Sequence, residues 1–158
     1  MQKHTLHLKE SERKIFLADH LTYKIYPLMK EKTILLKILS ELHESTLHLI
    51  KSILIYEQLY KNITITENAQ TNLQIFARKC APRYSITPEE IKLIMQLIDI
   101  HKKHSQSPME FTRGEKIVIL SDLNTELKTE TIDIERIKLF LNNNKNIIHK
   151  TKSKINYC

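Results

Sequence analysis

His101 and His104 stand at i, i+3, a spacing that puts both imidazoles on one face of a helix, where they could share a metal ion. Such a site needs a further ligand. Glu44 and His48, at i, i+4 on an earlier predicted helix, would supply it if the two helices are neighbours. Neither a Glu-x-x-His pair nor a His-Glu-x-x-His run occurs in the chain. Lys102 and Lys103 sit beside the histidines and oppose a cation, and basic residues at a helix C-terminus are favoured by the macrodipole with no metal present. The expectation is no cofactor.

The run Arg78-Lys79-Cys80-Ala81-Pro82-Arg83-Tyr84 sets three cations and an aromatic between two predicted helices. It leads into Thr87-Pro88-Glu89-Glu90, a hydroxyl at N-cap, proline at N1 and a carboxylate at N3, which spells a capping box. The following helix end adds unpaired N–H groups and partial positive charge, so an anion or phosphate could dock here. Arg83 would supply a fork and Tyr84 a stacking face. The competing expectation has Arg78 and Lys79 capping the preceding helix while Arg83 pairs with Glu89 or Glu90. Cys80 beside these cations could have a lowered pKa, but no histidine lies near it in sequence to make it a nucleophile.

Charge repeats that theme. The net charge is +7, unevenly spread. Residues 1–40 carry net +4, 41–80 balance, 81–135 carry net −3, and 136–158 carry six cations and no acid. Lys145, Lys150, Lys152 and Lys154 dominate that end, and Tyr157 is the one Phe, Tyr or Trp of its last stretch, 142–158. A basic end on a near-neutral body is an electrostatic footprint for RNA or another polyanion, or simply a solvated tail. Exclusions are firmer. One glycine in 158 residues leaves no phosphate loop, Rossmann fingerprint or nucleophile elbow. The residues before Ser11 are polar and charged, without the apolar run of a secretory signal. The oily stretch 33–60 is broken by five charges, so no membrane span is expected. Cys80 and Cys158 read as free thiols of a cytoplasmic protein.

Arg13 and His20, with six residues between them, resemble the arginine–histidine motif of HEPN ribonucleases, small all-helical RNA cutters. The resemblance implies an arginine that steadies phosphate charge and a histidine that moves a proton. The chain departs from that pattern in having Lys14 next to the arginine and in placing the pair on its first helix. The same residues also fit the solvated face of an amphipathic helix. A second resemblance covers residues 20–140. Tyr26-Pro27-Leu28, Tyr56-Glu57, Tyr60-Lys61, Pro82-Arg83-Tyr84, the run from His101 to Phe111, and Ile119-Leu120-Ser121-Asp122 are similar to a set of small helical proteins of archaeal genomes. It implies a cytoplasmic protein and no particular activity.

The elements that must position these residues follow from hydrophobic period and punctuation. A chain of this length forms one domain and buries roughly 70% of its unfolded surface. A first helix is predicted after Ser11, with Ile15, Phe16, Asp19, Tyr23 and Tyr26 on one face and Pro27 at its end. A second over 33–61 carries apolar residues on several sides and should be central. Ile63 to Thr66 is β-branched and should be extended. A third helix is predicted over 67–80, with Leu73, Phe76 and Ala77 inward, and a fourth from the capped Thr87 to Lys103. Two strands over 116–120 and 126–132 form a hairpin. A last helix starts near Asp133 and either frays at Asn142-Asn143-Asn144 or resumes through Ile147 and Ile148.

The predicted fold is therefore mainly α, an up-and-down bundle of about five helices with one β-hairpin before the last. Residues 1–141 are the helical domain, with the hairpin near 115–132, and 142–158 a basic C-terminal extension. The predicted function is a non-enzymatic binding module for RNA or a nucleic-acid-associated partner, through Arg78, Lys79, Arg83, Tyr84, Lys145, Lys150, Lys152 and Lys154. The alternatives are a ribonuclease using Arg13 and His20, and a protein–protein adaptor that acts as a homo-oligomer.

Overall fold

The computed structural model describes residues 2–107, 109–123 and 126–156. Cys158 and Tyr157 lie outside the described residues, as do Asn124 and Thr125 at the tip of the predicted hairpin. The described residues form a mainly α fold of five helices, with an antiparallel three-stranded sheet ahead of the last.

Helix α1 spans Lys3–His20 and α2 spans Lys32–Leu59. Helix α1 starts well before the predicted position after Ser11, and the reason is its interface. Its buried stripe is His4, Leu8, Ser11, Ile15, Ala18 and then Thr22, a three-and-four spacing written half in polar or small residues. Small side chains let α1 approach α2 closely, and hydroxyls then reach the other helix's backbone. Ser11 Oγ donates to the Ser45 carbonyl at 2.8 Å, Ser45 Oγ to the Ser11 carbonyl at 2.9 Å, and Ser52 Oγ to the His4 carbonyl at 2.7 Å. The inward face expected for α1 is corrected accordingly: Phe16 is 76% exposed and Tyr23 42%. Residues Leu21–Ile25 continue as a wider π turn, where Thr22 Oγ1 donates to the Ala18 carbonyl at 2.7 Å.

Helix α2 is the centre, as its many-sided apolar pattern requires. Leu35, Ile38, Leu39, Leu42, Leu49 and Ile53 are all buried. It packs against α1, against the π turn at Phe76–Cys80, and against α4 and α5. Its end is marked by Lys61 in the left-handed region at φ 61°. Ile63 to Thr66 is irregular rather than a strand, with Ile63 buried. Helix α3 is short, Ala69–Ile75, capped by Asn68, whose Oδ1 accepts from Thr71 N at 2.9 Å. The rest of the predicted third helix is the π turn Phe76–Cys80, followed by the 3-10 turn Ala81–Tyr84. Helix α4 spans Pro88–Gln106 with the full capping box. Glu90 N donates to Thr87 Oγ1 at 3.2 Å, and Thr87 N to Glu90 Oε1 at 3.0 Å.

The sheet has three strands, β1 Met109–Arg113, β2 Lys116–Leu123 and β3 Glu126–Ile132, in the order β1-β2-β3. The predicted hairpin is β2 with β3. Strand β1 is an addition to that hairpin: Met-Glu-Phe-Thr-Arg has neither a β-branched run nor clean alternation, and its pairing comes from the tight turn at Gly114. That glycine sits at φ +64°, where other residues are strained. Ile117 lies opposite Ile132, and with Ile119 they seal the sheet onto the helices.

Helix α5 spans Ile134–Asn156 without interruption. The asparagine run does not fray. Asn144 Nδ2 donates to Thr46 Oγ1 at 2.7 Å and Asn143 Nδ2 to the Glu90 carbonyl at 3.1 Å, so these amides bind neighbouring helices. Ile147, Ile148, Thr151 and Ile155 are buried beyond them. The boundary drawn at 141/142 falls inside this helix.

Candidate nucleic-acid interface

The turn between α3 and α4 is pinned from beneath. Glu57, near the end of α2, is 1% exposed, and two donors and one cation reach its carboxylate. Tyr84 Oη donates at 2.9 Å and Asn62 Nδ2 at 2.7 Å, and Arg83 Nε forms an ion pair with it at 3.1 Å. A carboxylate so satisfied is tolerated inside a protein. Ser85, at φ 57°, then reverses the chain into the Thr87 cap. Burial pushes the Tyr84 hydroxyl far up, and its bond to Glu57 adds to this, so it stays a donor. Burial also pushes the Cys80 thiol up to about 12, with Glu57 adding, and no thiolate forms near neutral pH.

Helix α5 closes the other wall. Lys150 Nζ donates to the Ser85 carbonyl at 2.8 Å and to Glu90 Oε1 at 2.5 Å. Burial raises the Glu90 carboxyl, but the bonds from Lys150 and the Thr87 backbone outweigh it and hold the group below its ordinary value. Lys154 Nζ lies 5.8 Å from the centroid of the Tyr84 ring. The result is a groove of about 320 Å³ lined by Arg83, Tyr84, Ser85, His149, Lys150, Ser153 and Lys154. Its lining carries three cations, Arg83, Lys150 and Lys154; behind it, Arg83 pairs with Glu57 and Lys150 with Glu90.

Four of the eight predicted binding residues, Arg83, Tyr84, Lys150 and Lys154, therefore share one groove. Their roles differ from expectation in two respects. Tyr84 is 3% exposed and forms the floor, so its ring is not a face for stacking a base. Arg83 pairs with Glu57, not with Glu89 or Glu90, yet its side chain remains 48% exposed. Lys145 and Lys152 face the other way, toward α1, paired with Asp19 and with Glu12, the latter at 3.1 Å. They rim a second groove of about 400 Å³ floored by Ile15 and Ile148 beside Phe16. His149 belongs to both grooves, and sequence reasoning missed it. Reading 142–156 as continuous helix would have found it, because Lys145, His149 and Lys152 then fall on one side by their spacing. Arg78 and Lys79 are exposed on the π turn and do not line the groove.

The other predicted sites stay apart. Arg13 is exposed and forked onto Glu10 at 2.6 Å, and His20 is exposed two turns further along α1. His101 stacks on His43 of α2, centroids 3.7 Å apart and planes at 5°, while His104 Nδ1 bonds Glu110 Oε2 at 2.5 Å. Helices α2 and α4 are thus neighbours, but the imidazoles do not converge on a common point. Glu44 is held by Lys14 at 2.6 Å, and His48 faces His7. As placed, no three His, Cys, Asp or Glu side chains among the described residues gather closely enough to hold a metal ion. Among the described residues no helix is long and apolar enough to cross a membrane. No family profile, no curated protein and no solved structure matches the chain.

Proposed function

We propose that this protein is a cytoplasmic, non-enzymatic RNA-binding module that holds a phosphate backbone in the groove between α5 and the Arg83 turn. One observation carries the reading: Arg83, Lys150 and Lys154 line the same groove, although Lys150 bonds a carbonyl 65 residues away in the chain. A phosphate would meet the outer edge of Arg83 and the lysine ammoniums, with His149 and Ser153 as further polar contacts. Contacts of this kind position a strand without reading its bases. Binding to mixed-sequence single-stranded RNA, followed by fluorescence anisotropy against salt, tests it. Three neutralised phosphates give a log–log slope near −2. Lys154→Gln should weaken binding and flatten that slope by roughly 0.7. Absent binding, or affinity indifferent to salt, overturns the reading.

A second reading, a homo-oligomeric adaptor, is favoured by Phe16, which stands 76% exposed beside the Ile15–Ile148 groove. Glu12 and Asp19 on one rim already pair with Lys152 and Lys145 on the other, so a second copy related by a two-fold axis would meet the apolar floor and Phe16. Light scattering at two concentrations, with Phe16→Glu beside the native chain, decides it. A mass that stays monomeric throughout ends this reading.

A further inference from the structure

We propose that His7 and His48, joined by Glu10, form a site for one divalent transition-metal ion of the zinc class, which clips α1 to α2. The proposal is independent of the RNA reading. His7 Nδ1 and His48 Nδ1 face each other at 2.9 Å across the helix seam, with ring centroids 5.2 Å apart. Two nitrogens bound tetrahedrally at 2.0–2.1 Å from zinc stand about 3.3 Å apart. To admit the ion the nitrogens part by a few tenths of an ångström and both rings turn, so that their lone pairs point at the ion and not at each other. The third ligand would be Glu10, whose carboxylate as placed is held by Arg13 and does not join the two imidazoles. Glu10 is at i+3 from His7 and so on the same side of α1. It is also the charge that acts most strongly on His48.

Glu10 must first leave Arg13. That pair lies on the surface, with side chains 62% and 34% exposed, and exposed pairs of this kind contribute little. The resulting set of two imidazoles and a carboxylate leaves the fourth position to water. Nitrogen ligands favour zinc, copper or nickel over magnesium and calcium.

The proton count closes. In the hydrogen-bonded pair one Nδ1 carries the proton and the other accepts. On binding, both Nδ1 lone pairs go to the metal, and the proton moves to Nε2 of the first ring. Burial holds His7 and His48 below their ordinary values, and the nearby Lys51 lowers both further. Lys3 beside His7 and Lys14 beside His48 also oppose a cation, while Glu44 favours one.

Isothermal titration of the full chain with zinc chloride at pH 7.5 tests the site, with cobalt(II) absorption as a second readout. One ion per chain is expected, with cobalt bands that report nitrogen and oxygen ligands. His7→Gln and His48→Gln should each weaken binding at least about tenfold, and Glu10→Gln by less. Arg13→Gln should tighten it, because Glu10 is then released. That opposite sign is not something a merely misfolded variant gives. His101→Gln should leave binding unchanged. No heat or cobalt band at millimolar metal overturns the proposal. So does binding that survives both histidine variants, or an Arg13→Gln variant that binds no better than the native chain.

Discussion

Helix α2 buries polar groups in two different ways along its length. Near its end it buries a charge, Glu57, surrounded by Tyr84, Asn62 and Arg83. Along its middle it buries hydroxyls, Ser45 and Ser52 bonded to the backbone of α1 and Thr46 to Asn144, with the half-buried His43 stacked on His101, beside a second carboxylate, Glu41, that Lys14 and Lys37 hold from outside. The first arrangement concentrates the stability of a whole turn on one carboxylate. The second spreads it over several modest bonds, each replaceable. A buried ion costs heavily once a partner is removed, whereas a buried hydroxyl costs about a single hydrogen bond. The two regions should therefore respond very differently to the loss of one residue.

Removing the charge gives the largest effect. Glu57→Ala strips the acceptor from Tyr84 and Asn62 and leaves Arg83 without its counter-ion. Breaking a buried pair typically costs 3–5 kcal/mol, and the half-exposed Arg83 places this case near the lower end, about 3 kcal/mol by urea denaturation. RNA binding in the α5 groove should fall too, since the turn that carries Arg83 loses its anchor. A loss below about 1 kcal/mol would mean that the turn is held by the burial of Phe76 and Cys80 and not by the carboxylate.

The same contrast explains what is legible in the sequence. The capped start of α4 is local chemistry, complete within Thr87 to Glu90, and residue types alone reveal it. The many-sided apolar pattern of α2 is equally plain. The partner of Arg83 is not, because Glu89 and Glu90 are near in the chain and Glu57 is near only in space. Helix α1 hides its first two turns because its stripe includes His4 and Ser11, which carry no hydrophobic period. The last helix looks like a solvated tail because its lysines mask Ile147, Ile148 and Ile155, and its asparagines are a turn signal unless buried amides find carbonyls and hydroxyls. Half of the candidate groove is visible as residue types. Its convergence is not, since it depends on α5 running through to Asn156.

Acid should separate the two regions next. Burial, and then the facing His101, hold the His43 imidazole down at about 4, with Glu44 opposing. Burial and His104 lower His101 as well. Unfolded histidines take a proton near 6.5, so between that pH and about 4 the unfolded chain binds more protons than the folded one. Stability is complete above pH 6.5 and falls as pH drops toward 4. A tenfold difference in proton affinity between the two states corresponds to about 1.36 kcal/mol, and partial solvent contact reduces the total to about 1–2 kcal/mol. Urea midpoints at pH 7 and pH 5 measure it, and His43→Gln should flatten the difference. A native chain equally stable at both values would show that the stacked pair opens to accept protons without strain.

The smallest effect belongs to the hydroxyls. Ser11 Oγ and Ser45 Oγ each donate to the other's carbonyl, and they lie 3.1 Å from one another. Ser11→Ala removes one donor, but the Ser45 carbonyl keeps its own intrahelical bond and Ser45 Oγ keeps its acceptor. The cost should be about 1 kcal/mol, one net hydrogen bond. It should add to that of Glu57→Ala in the double variant, because the two sites share no partner. Combined losses well beyond the sum would show that the seam and the turn open together, and the contrast between the Glu57 turn and the hydroxyl-bonded seam would then be a description of chemistry without a counterpart in cooperativity.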